Sequence, residues 1–294
     1  MKEEKMKKKF GDRKDGKRVK KLDSMHALLP DLKPNRCDSD VYINQKIDVT
    51  NLVKYIKEKN ENSENHYTYF HAFATAIAKT IYNRPLLNRF VQNHNYYDRN
   101  EVKLAFVAKV EFTDEAEEML TLLNVKEEDN IDTVRTTILE KISKIRERKG
   151  KKEDLNGAMD IVASLPKFLR IFVVWVVKWL DKHGWLPTSL VNDNIYYSSV
   201  IMSNLGSIKC GAIYHNLTDF GTNSILLTIG EIKKEKIVNE QGEEEVRDIC
   251  EFGINLDERI ADGFYFAKSV RLFAHILNNP ELLEGKASEK IEIK

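Results

Sequence analysis

Residues 251–263 read EFGINLDERIADG, and this stretch says more about the fold than any other part of the chain. The strand pattern begins one residue earlier, because apolar side chains alternate with polar or small ones over 250–256. This alternation predicts a half-buried β-strand. The strand leads into DERIADG, where Gly263 allows a close turn. Apolar residues at helical spacing follow over 264–277. We therefore expect a strand, a charged turn and a helix in succession.

The segments on either side predict further strands and helices. Residues 41–48 alternate in polarity like a strand, and Asp48 and Thr50 offer caps for the next helix. Residues 66–82 place apolar side chains at helical spacing, and Pro85 ends that helix. The other predicted elements are strands over 102–112, 196–202 and 224–232, and an amphipathic helix over 127–149. This succession predicts an α/β two-layer sandwich in which helices cover a mixed sheet.

Several segments, in the same order, resemble one family of acyltransferases. They are VYINQKIDVTNLV (41–53), FHAFATAIAKTIYNRPLLNRF (70–90), VIMSNLG (200–206), the hairpin 225–256 with its signature 257–263, and FYFAKSVRLFAHILNNPELL (264–283). The family comprises the catalytic domain of 2-oxoacid dehydrogenase acyltransferases and the related chloramphenicol acetyltransferase. The resemblance implies a chloramphenicol acetyltransferase-like fold over residues 35–284. Residues 1–34 and about 150–195 have no counterpart in it.

The resemblance also implies a mechanism and its main residues. In the family, a histidine takes a proton from a hydroxyl or thiol acceptor, which then attacks the thioester carbonyl of acyl-coenzyme A. A serine hydroxyl stabilises the resulting oxyanion. Ser203 corresponds to that serine, in a turn that Asn204 and Gly206 support. The family signature usually reads D-H-R-x-x-D-G, but here Glu258 stands at the histidine position.

Glu258 leaves three roles open: a carboxylate base, a ligand contact, or the remnant of a site that no longer reacts. A glutamate has an ordinary pKa near 4.3, against about 6.5 for histidine, so it is the weaker base unless burial raises its pKa. His215, in GAIYHNLTDFG, is an alternative base from the loop after Ser203. The resemblance implies that Asp262 fixes the signature turn, and Arg36 is the candidate partner of that carboxylate.

The resemblance implies a free-standing O-, N- or S-acyltransferase that uses a coenzyme A thioester as acyl donor and an unidentified small molecule as acceptor. It also implies a homotrimer, in which Ser203 of one subunit faces Glu258 of the next. The alternative is an inactive relative that serves as a trimeric ligand-binding or protein-interaction module. We expect no lipoyl domain or lipoyl group in this chain. We expect no metal site, because Cys37, Cys210 and Cys250 lie far apart.

Charge is unevenly distributed along the chain. Its 294 residues suit one large domain, and the net charge is +1. Residues 1–21, however, carry eleven Lys or Arg and four Asp or Glu, a net charge of +7. We interpret 1–34 as a basic, solvated tail with a lead-in, and 285–294 as a C-terminal tail. We expect no signal peptide and no nucleic-acid partner, hence a cytoplasmic protein, with peripheral contact to an anionic membrane as an alternative.

Residues 163–187, ASLPKFLRIFVVWVVKWLDKHGWLP, form the densest apolar segment of the insert at about 150–195. Its uninterrupted apolar stretch, which is densest over Ile171–Val177, is far shorter than the roughly 20 residues needed to span a bilayer. Three interpretations remain open. The helix is buried under the sheet or in an oligomer interface, it lies flat on a membrane with Lys and Trp at the headgroups, or it lines a pocket for a long acyl chain.

Overall fold

The computed structural model describes residues 12–61, 63–109, 118–147, 161–239 and 241–293. Its helices are α1 (Ser24–Leu32), α2 (Thr50–Glu61), α3 (Tyr69–Asn83), α4 (Ile131–Glu147), α5 (Lys167–Lys182), α6 (Thr188–Asn192) and α7 (Gly263–Asn278). Its strands are β1 (Gly16–Arg18), β2 (Asp40–Asp48), β3 (Arg89–Gln92), β4 (Asn95–Arg99), β5 (Val102–Lys109), β6 (Glu118–Val125), β7 (Val200–Asn204), β8 (Ile225–Val238) and β9 (Glu244–Asp257).

The strands form two sheets. The larger has six strands in the order β2-β9-β8-β7-β5-β6, and the smaller has three in the order β1-β4-β3. In the larger sheet β7 runs parallel to β5 and β8, whereas the other neighbours are antiparallel. The prediction of a mixed sheet that contains both the Ser203 strand and the signature strand is therefore confirmed.

Helices cover one face of the large sheet. The apolar residues of β9 that alternate along the strand are all buried, as predicted: Cys250, Phe252, Ile254 and Leu256. Phe252 makes edge-to-face contacts with Phe73 of α3 and Phe273 of α7, with ring centroids 5.3 and 5.1 Å apart. Each buried aromatic contributes about 2 kcal/mol through the area it removes from water. The predicted α/β two-layer sandwich is confirmed.

The opposite face of the sheet is partly covered by the loop that connects β7 to β8. Thr228 on β8 bonds the backbone of Ile213, and the N–H of Leu217 donates to Asp40 Oδ2 at 3.2 Å. A side chain at Gly253 of β9 would lie 2.3 Å from the Ile213 carbonyl oxygen. The alternation predicted a strand that is buried on one face only. The end of β9 is instead buried on both faces.

Two predicted boundaries differ from the observed ones for local reasons. The strand predicted over 196–202 begins at Val200, because Asn194 caps a turn over 195–197. The helix predicted over 127–149 begins at Ile131, because the Asn130 side chain accepts from the next backbone N–H groups. The ends of that helix and of the strand predicted over 102–112 lie outside the described residues.

The interpretation of a solvated N-terminal tail is wrong for residues 12–18. Arg13 is buried, and β1 pairs with β4 from Gly16 to Arg18. Residues 1–11 lie outside the described part. The predicted C-terminal tail also packs on the domain, since Ala287 is buried and its N–H donates to Asp129 O at 2.6 Å.

The Trp-rich segment forms α5, which lies on the surface of the chain. Phe168 is 70% exposed and Trp175 is 59% exposed, so burial of this helix under the sheet is wrong. Across the described residues, no helix is long and apolar enough to cross a bilayer.

Candidate functional site

Buried charges lock the signature turn at the end of β9. Asp257 accepts two bonds from the Arg259 guanidinium, Nε to Oδ1 at 2.8 Å and Nη2 to Oδ2 at 2.7 Å. The same guanidinium donates from Nη1 to the carbonyl oxygens of Lys33 and Pro34 at 2.9 and 3.2 Å. Both members of this pair are almost completely buried. The buried ion pair therefore stabilises the turn, and the bonds from Arg259 attach the turn to the segment that precedes β2.

Glu258 is the accessible residue of the stretch from Asp257 to Ala261, whose other members are buried. Its backbone N–H donates to Ser39 O at 2.9 Å, and its side chain is about a third exposed. The carboxylate forms an ion pair with Lys33. Arg259 beside it turns inward to Asp257, so Lys33 is the cation that contacts Glu258. Between Asp257 and Ala261 the signature thus presents one partly exposed carboxylate at the end of β9.

The predicted partnership of Arg36 with Asp262 is wrong. The Arg36 guanidinium is buried and donates to the carbonyl oxygens of Thr218 at 2.6 Å and Val91 at 3.1 Å. Its ion-pair partner is Asp257, with Nε 3.8 Å from Oδ2. Asp262 instead caps α7, where its Oδ1 accepts from the Tyr265 N–H at 2.7 Å. The cap lets Asp262 fix the exit of the signature turn without an arginine.

The turn after β7 is tightly packed. Ser203 lies one residue before the end of β7, opposite Thr228, and is partly exposed. Ser207, rather than Ser203, bonds this turn internally by donating to Asn204 O at 2.7 Å. A Cβ at Gly206 would lie 2.6 Å from Gly230 O, so only glycine fits there. By contrast, a Cβ at Gly263 would meet nothing within 4 Å, so sterics do not require that glycine.

Ser203 and Glu258 are not brought together within one chain. Ser203 pairs with Thr228, and Thr228 pairs with Gly253, which sets Ser203 level with Gly253. Glu258 lies five residues further along β9, or roughly 17 Å. Because β7 and β9 run in opposite directions, their carboxyl ends lie at opposite edges of the sheet.

Ser203 nevertheless shares a face with the signature strand. Met202 and Leu227 point into the core beneath the helices, so Ser203 and Thr228 point to the other face. Asn255 and Asp257 point to that face for the same reason. Ser203 therefore lies on the same face of the sheet as Asn255 and Asp257, opposite the face that packs on the main core.

His215 lies in the loop that crosses this face. Its backbone N–H donates to Asn255 Oδ1 at 3.1 Å, and its backbone carbonyl accepts from the Asn255 amide. The residue is exposed. Among the described residues, no hydrogen bond joins its imidazole to Ser203 or Glu258. The structure therefore places His215 between the two ends of the site without connecting it to either.

Asp40 is a candidate site residue that the sequence did not reveal. Burial and, to a smaller extent, the nearby Asp257 charge raise the pKa of the Asp40 carboxyl to about 6. Its Oδ1 is buried and has no hydrogen-bond partner among the described residues. Asp40 pairs with Asp257 across the strands and follows Ser39, which binds Glu258. An aspartate at the start of a strand is ordinary, so no sequence signal distinguished it.

A cleft of about 370 Å³ opens beside the signature turn. One wall includes Arg36, Arg259 and Asp219, and the other is the side of α5 that carries Trp175 and Trp179. The insert helix therefore lines a cleft together with Arg259, the residue that follows Glu258 in the signature. Within the described part of the chain, no group of three His, Cys, Asp or Glu side chains could hold a metal ion.

Comparison with known proteins supports the resemblance drawn from the signature. Residues 189–284 match the family described as 2-oxoacid dehydrogenases acyltransferase (catalytic domain). This region contains both Ser203 and Glu258, and the resemblance is confirmed there. A comparison with curated proteins finds no match.

Solved structures of similar fold come from the same group of proteins. A probable dihydrolipoamide acetyltransferase from Listeria monocytogenes has a TM-score of 0.57 at 14% identity, over 90% of this chain and 95% of its own. The dihydrolipoamide acetyltransferase of Azotobacter vinelandii has a TM-score of 0.58 at 13% identity, over 90% and 93%. A catalytic core of the 2-oxoacid dehydrogenase complex from Thermoplasma acidophilum has a TM-score of 0.55 at 12% identity, over 89% and 98%. At these identities the similarity establishes a shared fold.

Proposed function

We propose that this chain is a free-standing, coenzyme-A-dependent acyltransferase whose active site forms between the subunits of a homotrimer. Ser203 of one subunit and Glu258 of its neighbour complete the site. One observation carries the proposal: Ser203 and Glu258 lie at the carboxyl ends of strands that run in opposite directions, and so at opposite edges of the sheet, roughly 17 Å apart along the strands. A rotational assembly brings opposite edges of neighbouring subunits together, which a single chain cannot do.

The proposed reaction uses the two side chains as base and oxyanion donor. The Glu258 carboxylate takes the proton from the hydroxyl, amine or thiol of a small-molecule acceptor. The acceptor then attacks the thioester carbonyl of acyl-coenzyme A, and the Ser203 hydroxyl donates to the oxyanion. Collapse of the tetrahedral intermediate expels the coenzyme A thiolate, which receives the proton from Glu258.

Asp40 is a second candidate base at the same edge of the sheet. Its pKa of about 6 lies nearer to neutrality than that of an ordinary aspartate. A base is most effective when its pKa is close to the working pH. Since Leu217 N–H and the Tyr42 hydroxyl contact only Oδ2, the unpartnered Oδ1 is available to a ligand that displaces the neighbouring loop.

A mixing experiment tests the intersubunit site. We expect Glu258→Gln to abolish thiol release from acyl-coenzyme A, because an amide cannot accept the proton. We expect Ser203→Ala to lower turnover about a hundredfold through loss of the oxyanion donor. When the two variants are refolded together in equal amounts, roughly a quarter of the sites combine an intact serine with an intact glutamate across a subunit boundary. Activity should therefore return to roughly a quarter of the unmodified level, although Glu258→Gln alone has none and Ser203→Ala alone has about a hundredth of it.

The outcomes are distinct. Acetyl-, succinyl- and long-chain acyl-coenzyme A are the donors to assay, with thiol release as the readout. No recovery on mixing, with an active parent, would place the site within one chain. A strict monomer by light scattering that retains turnover would also overturn the proposal. Full activity of Glu258→Gln would remove Glu258 from the mechanism.

The inactive relative remains the second candidate function because of one contact. The ion pair between Lys33 and Glu258 occupies the carboxylate that the reaction needs. Under this alternative, no acyl-coenzyme A releases thiol, and Glu258→His produces a gain of activity that marks the chain as one that has lost its base. Such a trimer would bind its ligand or protein partner without turnover.

A further inference from the structure

Helix α5 exposes an aromatic face. Phe168, Phe172, Trp175 and Trp179 recur at intervals of three or four residues, so they lie on one side of the helix, and all four are exposed. The other side packs on the protein through Val177 and Leu180, which contact a small cluster of Leu186, Val191 and Tyr197. The helix is thus attached along one side and apolar on the side that faces solvent.

The charged side chains of α5 indicate the kind of surface that this helix binds. Besides its apolar residues, α5 carries the cations Lys167, Arg170, Lys178 and Lys182. Its single acidic residue, Asp181, is buried and bonded to Arg13. A second copy of the chain would bring these cations against one another, and lysine is depleted in protein interfaces. Aromatic rings flanked by lysines suit the headgroup region of a bilayer.

The basic N-terminal segment joins the domain at the same place. Arg13 Nη1 donates to the carbonyl oxygen of Asp181 at 2.8 Å and to its Oδ1 at 3.1 Å. Residues 1–11, which precede this anchor in the sequence, include five Lys and two Glu. Their net positive charge is therefore tethered to the C-terminal end of α5, where it adds to the attraction for an anionic surface.

We propose that the aromatic face of α5 docks on a bilayer that contains anionic phospholipid, with the helix lying flat in the headgroup region. Trp175 and Trp179 also line the cleft beside the signature turn, so docking brings the mouth of that cleft to the lipid surface. The docking does not depend on acyl transfer, and its test needs no enzymatic assay.

Intrinsic fluorescence tests the docking directly. The chain has three tryptophans, and Trp175, Trp179 and Trp185 all lie on α5 or just beyond it. We expect a blue shift and co-flotation when the full-length protein meets phosphatidylcholine vesicles with about 30% phosphatidylserine at low salt. Raising the salt to about 0.5 M should weaken binding without abolishing it, because salt screens the charges but not the apolar burial. Pure phosphatidylcholine vesicles should bind more weakly at low salt.

Matched variants separate the apolar contribution to vesicle binding from the electrostatic one. Phe172→Ser combined with Trp175→Ser should lower the partition coefficient more than about tenfold, since two buried aromatics are lost from the lipid contact. Val246→Ser on β9, which also removes an exposed apolar side chain, should leave binding unchanged. Lys178→Glu with Lys182→Glu should remove most of the salt-sensitive part, whereas Lys234→Glu on β8 should not.

Deletion of residues 1–11 should reduce the salt-sensitive part further, and it must stop before Arg13 so that the contact with Asp181 is kept. Absence of both the blue shift and flotation with phosphatidylserine vesicles at low salt would overturn the proposal. So would equal losses in the aromatic double variant and in Val246→Ser. If the aromatic double variant instead shrinks the oligomer in light scattering while the unmodified chain ignores vesicles, a second copy covers this face and the proposal fails.

Discussion

At the scale of single residues, the charged side chains around Glu258 in the signature have different structural roles. Asp257 and Arg259 are buried against each other, and Arg36 adds a second guanidinium to the same carboxylate. Glu258, between them in sequence, has its side chain about a third exposed. Asp257 and Arg259 therefore hold the turn, and the Glu258 side chain takes no part in that buried support.

We expect Asp257→Asn to lower the free energy of unfolding by about 3 kcal/mol, because two guanidiniums would remain buried without their anion. Asp98→Asn, which breaks the half-exposed pair with Arg89, should cost less than about 1 kcal/mol. Urea unfolding of both variants measures the difference. Equal small losses would mean that the carbonyl oxygens around Arg36 and Arg259 compensate for the lost charge.

Asp40 gives a prediction about pH. Burial raises the pKa of its carboxyl to about 6, against roughly 3.9 in an unfolded chain. The folded state therefore holds this proton more tightly, and the contribution of Asp40 to stability falls as the pH rises from about 4 to about 6. Asp40→Asn removes that penalty. We expect the variant to be more stable by about 1 kcal/mol at pH 7, after allowance for solvent screening, and equal to the unmodified chain near pH 4. Urea unfolding at both pH values checks it, and a gain that persists at pH 4 would contradict this cause.

At the scale of elements, the sequence was informative where the pattern is local. The alternation before Asp257 and the helical spacing after Gly263 predicted β9 and α7 correctly, because one face of each is apolar. The packing of residues 12–18 was missed, since β1 pairs with a strand about 80 residues away. The distance between Ser203 and Glu258 also could not be predicted from the sequence, because it depends on the register of three strands.

The two glycines of the candidate site make a matched pair. Gly206→Ala should destabilise the chain by about 1–3 kcal/mol, because the new methyl would collide with backbone at Gly230 O. Gly263→Ala should be neutral or stabilising by up to about 1 kcal/mol, because it adds a better helix former where nothing obstructs it. Thermal unfolding distinguishes the two. Equal melting temperatures would show that the turn after β7 shifts to accept the methyl group.

At the scale of the whole molecule, the described residues form two apolar cores of very different size. The large one lies between the six-stranded sheet and its helices, and the small one lies beneath α5 around Leu186 and Tyr197. Arg13 and Asp181 connect the N-terminal segment, α5 and the loop at Gly221 through buried bonds. The sequence could not indicate this connection, because Arg13 lies in a basic run that looks solvated and its partner is 168 residues away.

Loss of the Arg13 side chain should therefore destabilise the small core beneath α5 more than the large core beneath the six-stranded sheet. Arg13→Ala leaves Asp181 buried with only neutral donors, from Gln92 and the Gly221 backbone, so we expect a loss of about 3 kcal/mol. Hydrogen exchange should rise in α5 first, because its small core cannot hold it, while β8 and β9 keep their protection. Arg18→Ala removes a cation of similar size whose side chain is 43% exposed, and it should cost less than about 1 kcal/mol. A uniform rise in exchange across the large sheet would contradict the division into two cores, because it would mean that they unfold as one cooperative unit.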